Sequence, residues 1–195
     1  MKKGVQFLIC LYCCMAYSQP KFGVFTGVNY SYFTDGFAGQ IGGENTIAIQ
    51  LGALAEFELT PKISFRPKLI YSQQGDRSKT SDNSEFSTEL TDLDYQLDYL
   101  NIPLDFKFGK KFYLITGPQL GFLLQQKCSG VYVGTIPAKI ELGLNVGTGF
   151  TIHRLFFEFG VFQGMSTLLN YTYEPTGAVV DVRNGLAKFT LGYQL

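Results

Sequence analysis

Between Lys139 and Gly164 the chain reads KIELGLNVGTGFTIHRLFFEFGVFQG, and every second residue is apolar. Ile140, Leu142, Leu144, Val146, Phe150 and Ile152 alternate with Glu141, Gly143, Asn145, Gly147, Gly149 and Thr151. After the two-residue break His153-Arg154 the alternation resumes with Leu155, Phe157, Phe159 and Val161. A period of two is the signature of β-strands, because successive side chains point to opposite faces, and a two-residue break reads as a hairpin turn. Such a pattern excludes helices, but it does not say which face is wet. A soluble barrel would bury the apolar face, whereas a membrane barrel would turn it toward lipid.

The same pattern predicts eight strands, at about 21–33, 47–59, 63–73, 95–108, 112–126, 139–152, 155–165 and 185–195. Each has the roughly ten residues that a tilted strand needs to cross a bilayer. Thr60-Pro61-Lys62, Gly109-Lys110-Lys111 and His153-Arg154 form tight turns. The intervening stretches 34–46, 74–94, 127–138 and 166–184 are long, polar and rich in Gly, Ser, Thr and Asn. Short turns at one end and long loops at the other are the layout of an outer-membrane barrel with both termini in the periplasm. The fold expected is therefore an all-β, eight-stranded antiparallel up-and-down transmembrane β-barrel.

The chain's start agrees with that destination. Lys2 and Lys3 precede an apolar run to about Ala16, and Ala16-Tyr17-Ser18 places small residues at the −3 and −1 positions. Residues 1–18 are thus expected to be a cleaved signal peptide, leaving 19–195 as the barrel domain. The apolar run is shorter than the roughly 20 residues of a spanning helix. Cys10, Cys13 and Cys14 leave with it, so Cys128 stays alone and no intramolecular disulfide is expected. Loss of Lys2 and Lys3 changes 16 basic residues to 14 against 16 acidic ones, a net charge of −2 that gives no basic surface for nucleic acid.

Glycine decides the wet face. Gly23, Gly27, Gly52, Gly117, Gly121, Gly143, Gly147, Gly149, Gly160, Gly164 and Gly192 all fall on the polar face. Glycine weakens a strand and packs nothing, so it is a poor choice for a water-exposed sheet. It makes sense where space is scarce, as in the interior of an eight-stranded barrel, where small and large residues must alternate. Pairing across His153-Arg154 sets Thr151 opposite Phe156, Gly149 opposite Glu158 and Asn145 opposite Phe162. The apolar stripes Ile47–Leu59 and Leu100–Phe108 then face lipid. Phe65, Phe106, Phe108, Phe112 and Tyr193 gather at the turn end, and Tyr30, Tyr32, Tyr71 and Phe122 at the loop end, as interfacial girdles. The alternative is a secreted lipocalin-like barrel with the apolar face inside, binding a small hydrophobic ligand; its outer surface would have to be glycine-rich.

On this reading the bore holds a charge network of Glu56, Glu58, Arg66, Lys68, Asp105, Lys107, Lys139, Glu141, Glu158 and Lys188, in which acids and bases balance. A three-residue turn at 60–62 places Glu56 opposite Arg66 and Glu58 opposite Ser64. Buried charges must be paired, so these carboxylates neutralise neighbouring bases rather than form a glycosidase-like acid/base couple. A lumen plugged in this way leaves no wide pore. Catalytic residues, cofactors and metals are not expected. P-loop, G-x-S-x-G and H-E-x-x-H motifs are absent, and the single histidine, His153, lies in a turn. The loop QQGDRSKTSDNSEFSTELTDLD brings Asp82, Glu85, Glu89 and Asp92 together, but without the spacing of a calcium loop it reads as a solvated segment. Pro67, Pro103 and Pro118 interrupt strands, and a bulge is expected at Gly117-Pro118.

The segment YLNIPLDFKFG (Tyr99 to Gly109), followed by FYLITGPQLGFLL (Phe112 to Leu124), resembles the paired central strands of the Bacteroidetes-type outer-membrane β-barrel family, which includes the PorT-like proteins. The motifs are L-x-I-P-L-x-x-K and G-P-x-x-G, and the likeness in strand order and loop layout extends over the whole mature chain. The resemblance implies a barrel inserted by the outer-membrane assembly machinery, contacting outer-membrane lipid and lipopolysaccharide, and in some members serving protein secretion. It implies no catalytic residues. The function expected is that of a non-enzymatic integral outer-membrane protein, structural or acting as a scaffold through long extracellular loops, with secretion-machine proteins as possible partners.

Overall fold

In the computed structural model, residues 19–34, 44–77, 94–129, 138–173 and 178–195 are described. The expected signal peptide and most of the four long loops, including Asp82, Glu85, Glu89 and Asp92, lie outside them. The strands are β1 (Lys21–Thr34), β2 (Glu44–Thr60), β3 (Ile63–Arg77), β4 (Asp94–Gly109), β5 (Phe112–Ser129), β6 (Ile140–Ile152), β7 (Leu155–Gly164), β8 (Leu169–Tyr173) and β9 (Ala178–Gln194). All pairings are antiparallel between chain neighbours from β1 to β7; β7 then pairs β9, and β9 closes on β1. Eight strands therefore form a closed barrel without a free edge, so each strand has a hydrogen-bonding neighbour on both sides.

The short β8 pairs only the start of β9, from Leu169↔Val182 to Tyr173↔Ala178. The stretch 166–184, expected to be loop, instead contains a hairpin arm that extends β9 past the barrel. The sequence of the arm, LNYTY and AVVDV, lacks the long alternating apolar stripe of the barrel strands, so the pattern did not reveal it. For the same reason β2, β3 and β5 run several residues beyond their apolar stretches.

Burial alternates as the lipid-facing reading requires. Along β6, Ile140, Leu142, Leu144 and Val146 are exposed, while Glu141, Gly143 and Asn145 are buried. Ile47, Ile49, Leu51, Val24, Val28, Leu114, Phe159 and Phe189 also face outward, with Ile47 74% exposed. The lipocalin-like alternative requires these side chains inside, and the structure overturns it. Inside the bore, Phe25, Leu54, Ile70 and Phe156 form an apolar cluster, and Tyr113, Phe162 and Leu186 are also buried among the polar side chains. The rings of Phe57, Phe65 and Phe106, and of Phe112, Phe150 and Phe157, pack in series at 4.9–6.5 Å and make a belt at the turn end.

Cross-strand pairing places Thr151 opposite Phe156, Gly149 opposite Glu158 and Asn145 opposite Phe162, as the turn length predicts. Glycines make room for large inward rings. A Cβ on Gly149 would lie 2.7 Å from Tyr113 Cζ, and one on Gly52 2.5 Å from Phe25 Cζ. The tight turns use the left-handed region at Gly109 (φ 119°) and, unusually for a side-chain-bearing residue, at His153 (φ 57°).

The prolines behave differently from expectation. Pro118 pairs with Leu144 in a β5–β6 ladder that runs unshifted from Phe112↔Phe150 to Phe122↔Ile140, so Gly117-Pro118 is not bulged. On its other side, pairing pauses between Pro103↔Gln119 and Phe106↔Thr116 and resumes in the same register. Pauses of the same kind, without a shift, occur near Pro67 and Pro103 in the flanking ladders. Each proline thus forgoes a hydrogen bond without inserting a residue. The irregularity in the β4–β5 pair falls instead at Asp98/Tyr99.

Candidate functional site

The inward faces of β2, β3, β4 and β7 bring six of the anticipated charged residues into one chain of contacts. Lys107 Nζ lies 2.8 Å from Glu56 Oε1, and Glu56 Oε2 lies 3.4 Å from Arg66 Nε. Arg66 Nη1 pairs with Glu158 Oε1, whose other oxygen lies 2.9 Å from Lys68 Nζ. Lys68 Nζ reaches on to Asp105 Oδ2 at 3.1 Å. Cations and anions alternate from Lys107 to Asp105, so each inner charge has two partners of opposite sign, as burial demands.

The strand order gives this chain its geometry. β3 and β7 stand four places apart in a ring of eight, on opposite walls. The contacts of Glu158 with Arg66 and Lys68 therefore cross the bore and tie its two sides together. Tyr113 on β5 adds a hydroxyl that donates to Glu158 Oε1 at 3.0 Å. The Arg66 guanidinium lies over the Phe156 ring at 4.7 Å, and Arg66 is 1% exposed. An aromatic face, a tyrosine hydroxyl and two carboxylates thus enclose that cation on several sides.

Toward the loop end the bore changes from ions to amides. Lys188 Nζ donates to Asn145 Oδ1 at 2.7 Å and Gln119 Oε1 at 3.2 Å, and Asn145 Nδ2 donates to Gln119 Oε1 at 3.1 Å. The buried Glu141 accepts from Asn184 Nδ2 at 3.4 Å. Asn184 also donates to Gln74, Gln74 donates to Ser72 Oγ at 3.1 Å, and Asn29 donates to the same hydroxyl at 2.8 Å. Lys188 and Glu141 thus sit in the bore but outside the ionic chain. The sequence pattern puts Asn145 on the inward face but does not single out Tyr113, Gln119, Asn184, Gln74 or Asn29. Gln74 and Asn184 fall in stretches expected to be loop, and for the others parity gives the face, but uncharged polar residues carry no sign from which a partner can be inferred.

Two of the ten residues lie elsewhere. The Glu58 side chain is 54% exposed at the turn-end mouth and pairs with Lys21. Lys139 is exposed just before β6 begins, where its backbone carbonyl accepts from Leu123 N at 2.9 Å. Both have the inward parity of their neighbours; parity assigns a face but not a depth, and these positions fall past the ends of the buried zone.

A cleft of about 230 Å³ opens at the turn end, lined by Lys21, Glu56, Glu58, Lys107 and Lys110 among others. A second space of about 40 Å³, room for one or two waters, is lined by Lys68, Asp105, Asn145, Glu158 and Lys188. Glu56 on the first and Glu158 on the second are both paired with Arg66, which lines neither. Among the described residues no group of three or more His, Cys, Asp or Glu side chains is arranged to hold a metal ion.

The family described as "Outer membrane protein beta-barrel domain" matches residues 17–170. No curated protein sequence matches the chain significantly. Among solved structures, Neisserial surface protein A superposes with a TM-score of 0.55 at 12% identity, covering 89% of this chain and 97% of that one. Ail, the attachment invasion locus protein of Yersinia pestis, solved with the heparin analogue sucrose octasulfate, superposes with a TM-score of 0.51 at 16% identity, covering 91% and 99%. At these identities the likeness is one of fold.

Proposed function

This chain belongs to the outer membrane protein beta-barrel domain family, and from that premise we propose that it is a non-enzymatic barrel whose bore is closed by its own ion pairs. It resides in the outer membrane among lipid and lipopolysaccharide. Its work is structural, or that of a scaffold presenting long loops to the cell exterior, with both termini in the periplasm. The supporting observation is the cross-bore contact of Glu158 with Arg66 and Lys68, on walls four strands apart. A solute-conducting bore would have to break those contacts and leave buried charges unpaired, at about 3–5 kcal/mol. Planar-bilayer recording tests the proposal: the native barrel should show no stepwise conductance, and regular steps would refute a closed bore. Protease treatment of intact cells tests the orientation, with cleavage expected in 78–93 and not at the tight turns.

An accessory role in protein secretion is supported by the resemblance of YLNIPLDFKFG and FYLITGPQLGFLL to PorT-like barrels. The same resemblance supports insertion by the outer-membrane assembly machinery. Co-purification with a large outer-membrane complex would support the secretion role, and solitary migration under mild detergent would count against it.

A further inference from the structure

The turn end of the barrel carries a charged rim that the closed bore does not use. Lys62 lies in the β2–β3 turn, Lys110 and Lys111 in the β4–β5 turn, and His153 and Arg154 in the β6–β7 turn; all five are exposed. Backbone hydrogen bonds lace these turns to their neighbours. Gly109 N donates to Lys62 O at 2.8 Å, Thr151 N to Lys111 O at 2.8 Å, and Gln194 N to Arg154 O at 2.7 Å. The basic side chains are therefore spaced around a fixed rim, one group at every second strand. Among the described residues of this rim, Glu58 is the exposed acidic side chain, and it is paired with Lys21.

The depth of the rim points to its partner. Lys111 is followed directly by Phe112, 74% exposed, and His153-Arg154 is flanked by the exposed Ile152 and Leu155. A strand advances about 3.3 Å per residue, so these charges stand one or two residues beyond the lipid-facing wall. That is the headgroup zone, roughly 5–7 Å thick on each side of the hydrocarbon. Arg154 Nη1 donates to Tyr193 Oη at 3.3 Å, which holds the guanidinium against the aromatic belt with further N–H donors free to point outward. Lysine and arginine stems lie along apolar surface while their heads reach polar groups, and both bind phosphate oxygens well.

We propose that this rim binds the phosphate groups of anionic glycerophospholipids in the leaflet on the turn side, and so fixes the depth and tilt of the barrel. It rests on the membrane embedding and not on the closed bore, so a conducting barrel would leave it standing. The test is the motionally restricted fraction of spin-labelled lipid around the barrel in phosphatidylcholine vesicles, with labelled phosphatidylglycerol compared to labelled phosphatidylcholine. The native protein should favour phosphatidylglycerol by about fivefold, the factor expected from one basic side chain acting on one headgroup. The preference should fall toward unity in K62Q/K110Q/K111Q/R154Q, fall partway in K111Q or R154Q alone, and persist in K127Q at the loop end. Heat-modifiable gel mobility reports whether each variant has folded, and the single variants serve if the fourfold one has not. Equal association of the two lipids, or a preference unchanged in R154Q and K111Q, would overturn the proposal. So would loss of the preference to inorganic phosphate at constant ionic strength, which would mark a free-phosphate site, or stronger association of lipid A.

Discussion

Replacing Glu158 by glutamine removes the charge that ties β3 to β7 and nearly preserves its volume. Arg66 would keep Glu56, 3.4 Å from its Nε, and Lys68 would keep Asp105 at 3.1 Å. Both cations would lose their charge pairing with Glu158, and the bore would gain one net positive charge where there is room for only one or two waters. Breaking one partner of a buried pair costs about 3–5 kcal/mol. Because each cation keeps a second carboxylate, the expected loss is at the lower end, about 3 kcal/mol. Equilibrium urea unfolding in phospholipid vesicles, read by the gel mobility of folded and unfolded chains, measures it. E58Q is the control, since its exposed pair with Lys21 contributes at most about 1 kcal/mol. Adding K68M to E158Q should recover part of the loss, because the two sites share a contact and are not additive. An E158Q barrel within about 0.5 kcal/mol of the native one, or no more destabilised than E58Q, would refute the cross-bore tie.

Substitution of valine at Gly149 should cost about 1–3 kcal/mol in the same titration, because a Cβ there meets the Tyr113 ring at 2.7 Å. Alanine at Gly160, whose Cβ would first meet backbone at 3.3 Å, should be milder than alanine at Gly149. Leu51→Arg puts a charge on the outward face and should cost about 2–4 kcal/mol if Leu51 lies near the bilayer midplane, measured by folding efficiency and urea midpoint in vesicles. Pro118→Val restores a backbone donor at an exposed position where β4–β5 pairing pauses without a shift and should stabilise the barrel by about 0.5–1.5 kcal/mol; a loss of stability would show that the ring itself packs.

Much of this architecture is readable from residue alternation. Ile140 to Ile152 and Leu155 to Val161 announce two strands and their turn, and turn length then fixes Gly149 opposite Glu158. The glycines on the polar face reveal which side is crowded, since a Cβ would meet an inward ring at Gly149 and Gly52 and neighbouring backbone at Gly27, Gly117 and Gly147. Depth is less legible. Glu56 and Glu58 share parity two residues apart, yet one is buried between Lys107 and Arg66 and the other meets solvent at the mouth. Partners across the bore are least legible of all. Glu158 and Arg66 belong to strands that are neighbours neither in sequence nor in the sheet, and only closure of the barrel brings them together. The β8–β9 arm is not legible because LNYTY and AVVDV lack a long alternating stripe, and a proline in a strand does not by itself distinguish a lost hydrogen bond from an inserted residue.

Which side of the wall touches lipid is most directly measured by oxygen accessibility of nitroxide labels along β6. Single cysteines at positions 141 to 147, in a Cys128→Ser background and in vesicles, would carry the label. The accessibility should rise and fall with a period of two, with maxima at 142, 144 and 146, where Leu142, Leu144 and Val146 are exposed, and minima at 143 and 145. Maxima at 143 and 145, or a profile without alternation, would contradict a barrel with lipid outside and a packed polar bore.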